Sequence, residues 1–186
     1  MKYLILISFI IATPLVDAAF EQTKSYVKYD GSYYEIDYPN GDIPRDIGVC
    51  TDVIIRAYRD CCDIDLQELV YEDMIYNNDL YDTPYEVDSN IDHRRVKNLR
   101  IFFNHNGFVK SNEDTFYAGD IVTWNLYNGT LPHIGIVSDT YTDDGTPLII
   151  HNAGGGVVIE DILFKFDITG HYLYTGERTP FKQQTN

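Results

Sequence analysis

The chain has 186 residues, with 14 Lys and Arg against 29 Asp and Glu and a net charge of −15. Nucleic-acid binding needs a basic surface, so this charge excludes that class of partner. Apolar residues make up 44% of the chain, which excludes a disordered chain and, at this length, predicts a single globular domain.

The first 18 residues have the pattern of an export signal. Lys2 supplies the positive start, an apolar stretch of about ten residues follows, and Val16-Asp17-Ala18 matches a signal-peptidase site. That stretch is too short to span a bilayer, which takes about 20 residues, and no later segment qualifies. We expect a signal peptide over 1–18 and one mature domain over 19–186, periplasmic or secreted and without an integral membrane segment. An N-terminal core strand is the alternative for this segment.

The three cysteines do not form a disulfide framework, because Cys61 and Cys62 are adjacent. On one continuous helix Cys50 would lie about 16 Å from Cys61, and a disulfide allows less than about 7 Å between Cα atoms. Cys50 is therefore predicted to be a free thiol. Cys61 and Cys62 are interpreted as small residues at a helix C-terminus, without a catalytic role.

From Cys50 onwards the pattern is helical. One helix face carries the spacing i, i+3, i+4 and i+7: Cys50, Val53, Ile54 and Ala57. Asp52 and Arg56 are spaced to pair on another face. Two more helices are predicted over 66–76 and 96–106, the second ended by a glycine.

After residue 107 the chain turns to strands. Short β-rich runs alternate with turn residues, at 119–124, 133–138, 147–151, 157–159 and 171–174. Helices first and strands afterwards indicate an α+β fold, with N-terminal helices packed on an antiparallel sheet.

Two histidines fall at the ends of a predicted hairpin. If His133 pairs with His151, the turn centres on Thr142 and the hairpin presents one wholly apolar face, with Ile134 opposite Ile150. Directly opposed residues have Cβ atoms roughly 5 Å apart, so the two imidazoles could touch on the other face. The alternative is two unrelated surface histidines.

Cys50 is the natural third member of this group. It lies at a helix start, where free amide groups and the helix dipole favour a thiolate. A neighbouring imidazole could take the thiol proton and return it to a leaving group, with a second polar residue orienting the ring. The order Cys, His, polar residue matches the papain-like arrangement. A buried, inert cysteine is the alternative.

Several segments together resemble one bacterial exported family, the domain of unknown function 1287, which is grouped with the NlpC-like cysteine peptidases of the papain-like superfamily. The likeness covers about residues 27–174 and rests on these segments in order: Gly48-Val49-Cys50-Thr51-Asp52-Val53, Asn90-Ile91-Asp92-His93-Arg94-Arg95-Val96, Gly119-Asp120-Ile121-Val122-Thr123-Trp124, Leu131-Pro132-His133-Ile134-Gly135-Ile136-Val137, Ile150-His151-Asn152 and Ile168-Thr169-Gly170-His171-Tyr172.

The resemblance implies a papain-like NlpC-type fold and a site on matching positions. Cys50 would be the nucleophile, His133 the general base and His151 the orienting third residue, with Asn152 as a rival for that third role. Tyr38, 12 residues before Cys50, would help to polarise the substrate carbonyl, together with the backbone amide of the nucleophile. No cofactor and no metal are implied.

Residues 92–95 form the most basic spot of this acidic chain. His93, Arg94 and Arg95 could clamp a substrate carboxylate, since arginine matches carboxylate geometry. The alternative, slightly favoured, is a network at a helix N-terminus with Asp92 as its cap.

These observations predict a cysteine peptidase or amidase that cleaves peptidoglycan stem peptides outside the cytoplasm. A papain-like amidase, deamidase or acyltransferase with another substrate, secreted or phage-encoded, keeps the same site. A non-catalytic binding module on the same fold is a further alternative. A zinc site at Cys50, His133 and His151 lacks any close ligand pair, and the acidic turn 139–144 lacks the glutamate of a calcium loop.

Overall fold

The computed structural model describes residues 13–81, 83 and 85–177, and it has an α+β architecture. The helices and short 3₁₀ turns are α1 (13–21), Gln22–Lys24, α2 (Cys50–Cys62), α3 (Leu66–Tyr76), Asn78–Leu80, Asp92–Arg94, α4 (Val96–Asn106) and α5 (Leu126–Gly129). The strands are β1 (Lys28–Tyr29), β2 (Ile47–Gly48), β3 (Phe108–Val109), β4 (Ile121–Asn125), β5 (Leu131–Tyr141), β6 (Pro147–Asn152), β7 (Val157–Glu160) and β8 (Asp167–Leu173).

Six strands form one antiparallel sheet in the order β3-β8-β4-β5-β6-β7, while β1 and β2 form a separate parallel pair. The prediction of helices followed by an antiparallel sheet is confirmed. The helices predicted at 66–76 and 96–106 have those bounds in the structure. Asp65 caps the first of them by accepting the Gln67 N–H at 3.0 Å, and the Gly107 N–H closes the second on the Phe103 carbonyl at 2.9 Å.

The sheet has an apolar core on each face. On one face Ile134, Ile136 and Ile150 pack in the same core as residues of α2, among them Ile54. On the other face Trp124 is fully buried and donates its indole N–H to the Leu163 carbonyl at 2.9 Å. Because β5 contributes to both cores, its position relative to α2 is set by packing from two sides.

The hairpin of β5 and β6 has a register two residues away from the predicted one. Ile136 pairs with Ile150, not with Leu148, so His151 lies opposite Gly135 and is a diagonal neighbour of His133. A register irregularity between Val137 and Tyr141 shifts the pairing once more towards the turn. A shift of two residues keeps every side chain on its face, so the predicted faces are correct although the predicted pairs are not.

Two buried arginines organise the start of the chain around α2, and the predicted pairing of Asp52 with Arg56 is wrong. Arg56 instead binds Asp42 at 3.0 Å and donates to the backbone carbonyls of residues 43–45 and 47. Asp52 binds Arg94, which lies 42 residues later, at 2.8 and 3.0 Å. Non-local partners replaced the local pair because both side chains are almost fully buried, and burial requires complete pairing.

The N-terminal helix overlaps the signal peptide that the sequence predicts over residues 1–18. Residues 1–12 lie outside the described part of the chain, and residues 13–21 form α1. Leu15, Val16 and Ala19 of α1 are buried in the helix-side core. A cut after Ala18 would therefore remove two core side chains. Within residues 13–81, 83 and 85–177, no helix is long and apolar enough to cross a bilayer.

Cys61 and Cys62 lie at the end of α2, as predicted, but they form a disulfide with each other. Cys50 is free, as predicted.

Candidate active site

The position of Cys50 depends on how α2 begins. The Asp52 carboxylate accepts the backbone N–H of Val49 at 2.6 Å, which caps the helix start. Arg94 holds that carboxylate, and the Thr51 hydroxyl donates to the Arg94 carbonyl at 2.9 Å. Cys50 is thus the first residue of a helix whose start is fixed by the Asp52 cap and by the contacts of Asp52 and Thr51 with Arg94.

Cys50 is 4% exposed and belongs to the helix-side core. Burial raises its pKa to about 12, and Asp52 acts in the same direction. Backbone hydrogen bonds from Ile134, Thr51 and Cys50 itself act in the opposite direction. Ile134 directly follows His133, but the two side chains lie on opposite faces of β5, and no hydrogen bond joins Cys50 to His133 among the described residues.

Tyr29, on β1, is the aromatic residue beside the thiol. Burial raises the Tyr29 pKa to about 12, and the neighbouring Cys50 and Asp52 act in the same direction. The hydroxyl therefore stays protonated at neutral pH and can donate a hydrogen bond.

His133 and His151 are hydrogen-bonded to each other, as the sequence predicted for the pair. His133 Nε2 lies 3.0 Å from His151 Nδ1, and the rings are perpendicular with centroids 5.0 Å apart. Trp124 flanks the His133 ring at 6.1 Å. Burial lowers the pKa of His133 to about 3, with His151 adding to the effect. The ring is therefore neutral at neutral pH, and its burial opposes protonation.

Glu160 extends the histidine pair across a third strand. Its carboxylate lies 3.4 Å from His151 Nε2, which has no other polar partner among the described residues. Burial lowers the pKa of His151, and Glu160 opposes that shift. If Nε2 of His151 carries its proton towards Glu160, then Nδ1 accepts from His133 Nε2–H. The remaining nitrogen of His133, Nδ1, then holds the free lone pair that a general base needs.

The other predicted residues take different places. Tyr38 packs edge-on against Tyr71 with ring centroids 5.0 Å apart, and Tyr29 occupies the place beside the thiol. Asn152 is fully buried and accepts the Gly154 N–H at 3.0 Å, while its own amide nitrogen has no partner among the described residues. His151, not Asn152, contacts His133.

The three basic candidates divide into two buried residues and one exposed residue. Arg94 is committed to Asp52, and burial lowers the pKa of His93 to about 3, so neither is free to clamp a substrate. Arg95 is 48% exposed and lies 3.3 Å from Asp92. The prediction that Asp92 caps the helix is wrong, because its carboxylate accepts the Asp88 N–H at 2.8 Å and α4 begins after Arg95. The network reading therefore fits Arg94, and Arg95 alone keeps the geometry for a ligand.

No three His, Cys, Asp or Glu side chains in the described part of the chain are grouped so that they could hold a metal ion. The zinc alternative at Cys50, His133 and His151 thus has no support from the geometry.

Two residues of the site were not predicted from the sequence, Tyr29 and Glu160. Glu160 has a recognisable signal, since it directly follows the strand predicted over 157–159. Tyr29 has none, because it reaches Cys50 through a strand pair of two residues.

Comparison with known proteins agrees with the motifs. The model of the family described as "Domain of unknown function (DUF1287)" matches residues 16–174, and the chain therefore belongs to this family. It is also similar to an uncharacterized protein, YijF, of Escherichia coli (strain K12). The two are 47% identical over 166 residues, which is 86% of this chain and 80% of the relative.

Proposed function

We propose that this protein is an exported cysteine hydrolase, a peptidase or amidase, that cleaves amide bonds in peptidoglycan stem peptides. Its fold would be the NlpC-like variant of the papain-like fold, with Cys50, His133 and His151 as the catalytic residues. The observation that carries the proposal is the 3.0 Å contact between His133 and His151, beside the backbone of Ile134 that meets the Cys50 thiol.

The resting site holds a neutral thiol and a neutral imidazole. Burial raises the pKa of the Cys50 thiol and lowers that of His133, so both shifts disfavour a thiolate–imidazolium pair before substrate binds. The proton therefore moves during the attack: Sγ bonds to the amide carbonyl carbon as its proton passes to His133 Nδ1.

The following steps use the same groups. The tetrahedral oxyanion accepts hydrogen bonds from the Cys50 backbone N–H and from the Tyr29 hydroxyl, which takes the role expected for Tyr38. His133 gives its proton to the leaving amine as the C–N bond breaks, which leaves a thioester. Water then attacks the thioester, again with His133 as base, and releases the acid and the thiol.

His151 and Glu160 act on His133. The imidazolium formed at His133 during the attack shares its charge with His151 through the hydrogen bond at Nε2. Glu160 then lies close to the other ring nitrogen of His151. Glu160 is a positioning residue in this scheme, because it sets which nitrogen of His151 carries the proton.

Digestion of purified peptidoglycan tests the proposal, with wild type compared with Cys50→Ala and His133→Ala and the released fragments identified by mass spectrometry. Thermal unfolding of each variant checks that it is folded. We expect fragments from wild type only, and their masses will identify the bond. Equal digestion by folded Cys50→Ala would end the proposal. If Cys50 reacts with acylating probes but no fragments appear, the site would act on another amide or thioester substrate. The acidic surface of the protein favours that outcome, because it does not attract an anionic cell wall.

A further inference from the structure

A cavity of about 290 Å³ lies between the start of α4 and the start of β5. Its walls come from the start of α4, the segment before the Asp92–Arg94 turn and the start of β5. The residues that matter here are Thr83, Tyr85, Arg95, Lys97 and Pro132.

The cavity adjoins the site through the chain on two sides. Pro132 lines it and directly precedes His133. Arg95 lines it and directly follows Arg94, whose carbonyl accepts the hydroxyl of Thr51 next to Cys50. The cavity is therefore lined by neighbours in the chain of His133 and of the segment that holds the start of α2.

Two basic side chains, Arg95 and Lys97, line this largely apolar cavity in a chain of net charge −15. Lys97 is exposed and makes no ion pair within residues 13–81, 83 and 85–177. Arg95 keeps about half of its side chain exposed, and its guanidinium lies 5.4 Å from the Tyr85 ring centre, which orients the group. Arg95 also pairs with Asp92 at 3.3 Å through its Nε.

A polar group in the cavity wall also lacks a partner. The hydroxyl oxygen of Thr83 is buried and has no hydrogen-bond partner among the described residues. Buried hydroxyls are normally hydrogen-bonded, so an unpartnered one in a cavity wall is suited to a polar ligand.

We propose that this cavity binds a carboxylate of the peptide substrate, an inference that rests on the proposed function. Arg95 supplies a planar pair of donors that matches a carboxylate, Lys97 supplies a second positive charge, and Thr83 supplies a hydroxyl. The expected substrate class is a peptide with a free acidic side chain or carboxyl terminus next to the cleaved bond. Peptidoglycan stem peptides have this chemistry.

Binding, measured separately from turnover, tests the proposal. The full chain with Cys50→Ala is titrated by calorimetry with the stem tripeptide L-Ala-γ-D-Glu-diaminopimelate and with the same peptide with its carboxylates amidated. Lys97→Gln and Arg95→Gln are added to this background. Lys165→Gln, which removes an exposed lysine in the segment between β7 and β8, is the matched control.

We expect the free acid to bind at least tenfold more tightly than the amidated peptide. Lys97→Gln and Arg95→Gln should each weaken binding of the free-acid peptide by about tenfold, or about 1.4 kcal/mol. Neither variant should change the binding of the amidated peptide. Lys165→Gln should change neither. Equal binding of the two peptides, equal effects of Lys97→Gln and Lys165→Gln, or no binding of the free acid would overturn the carboxylate site. Cleavage of peptidoglycan by wild type would still stand in each of those cases, so the two proposals fail separately.

Discussion

Cys50 is expected to react slowly with alkylating reagents while the protein is folded. Burial raises the pKa of its thiol from 9.0 to about 12, and the thiolate is the species that reacts. Each pKa unit is a factor of ten in the thiolate fraction, so at pH 8 that fraction is about a thousandfold below that of an unperturbed thiol.

The measurement is the rate of iodoacetamide modification, followed by intact mass between pH 7 and 11. Folded protein is compared with protein unfolded in urea without reductant. The disulfide between Cys61 and Cys62 leaves Cys50 as the free thiol. We expect the folded rate to keep rising beyond pH 9, where an unperturbed thiol levels off. That rise distinguishes a raised pKa from a simple lack of access.

A folded rate at pH 7 equal to or above the unfolded rate would refute this reasoning. It would mean that the site holds a thiolate paired with a protonated His133, in spite of the burial of both side chains. His133→Ala would then slow the reaction. If the thiol is neutral at rest, the same variant should leave the rate at pH 8 almost unchanged.

Three further predictions concern the support of the site. Glu160→Gln should lower kcat about tenfold at pH 7 with KM unchanged, because the negative charge of Glu160 stabilises the histidine pair only while His133 is protonated during the reaction. Steady-state kinetics on a purified stem peptide measures both constants, and an equal rise in KM would contradict the prediction. Arg94→Met should destabilise the fold by about 3–5 kcal/mol, because it leaves the Asp52 carboxylate buried and unpaired; urea unfolding measures the loss, and Arg94→Met combined with Asp52→Asn should recover part of it. Removal of residues 1–18 should cost several kcal/mol more than removal of 1–12, because it strips two apolar side chains from the core at about 1.5–3 kcal/mol each; equal unfolding midpoints would show that this contact adds nothing.

Local patterns predicted the helices well. The bounds of α3 and α4 follow from apolar spacing together with Asp65 and Gly107, which act within one turn of the chain. The start of α2 was likewise correct, and it places Cys50 at the helix N-terminus. Such signals depend on neighbouring residues, so sequence reasoning can find them.

The hairpin shows where that reasoning stopped. An apolar/polar alternation specifies the face of a strand but not its register, and it could not show the irregularity between Val137 and Tyr141. The histidine pair was still found, because an error of two residues preserves the face. Glu160 was missed because it reaches His151 diagonally across a second strand pair.

Long-range ion pairs were the other failure. Asp52 has a basic residue four positions along its helix, yet its partner is Arg94. The same pairing withdraws Arg94 from the candidate substrate clamp. Charge spacing on a helix indicates which pairs are possible locally, whereas the partner of a buried charge is decided by which segments the fold brings together.

The hydrogen bonds of Arg56 have a mechanical consequence. By holding the carbonyls before β2, this side chain fastens the loop to α2, and β2 in turn carries β1 with Tyr29. The nucleophile and the proposed oxyanion donor therefore belong to one rigid unit, while the histidines and Glu160 belong to the sheet. Because α2 and β5 share one apolar core, Arg56 also holds Tyr29 in place against the sheet that carries the histidines.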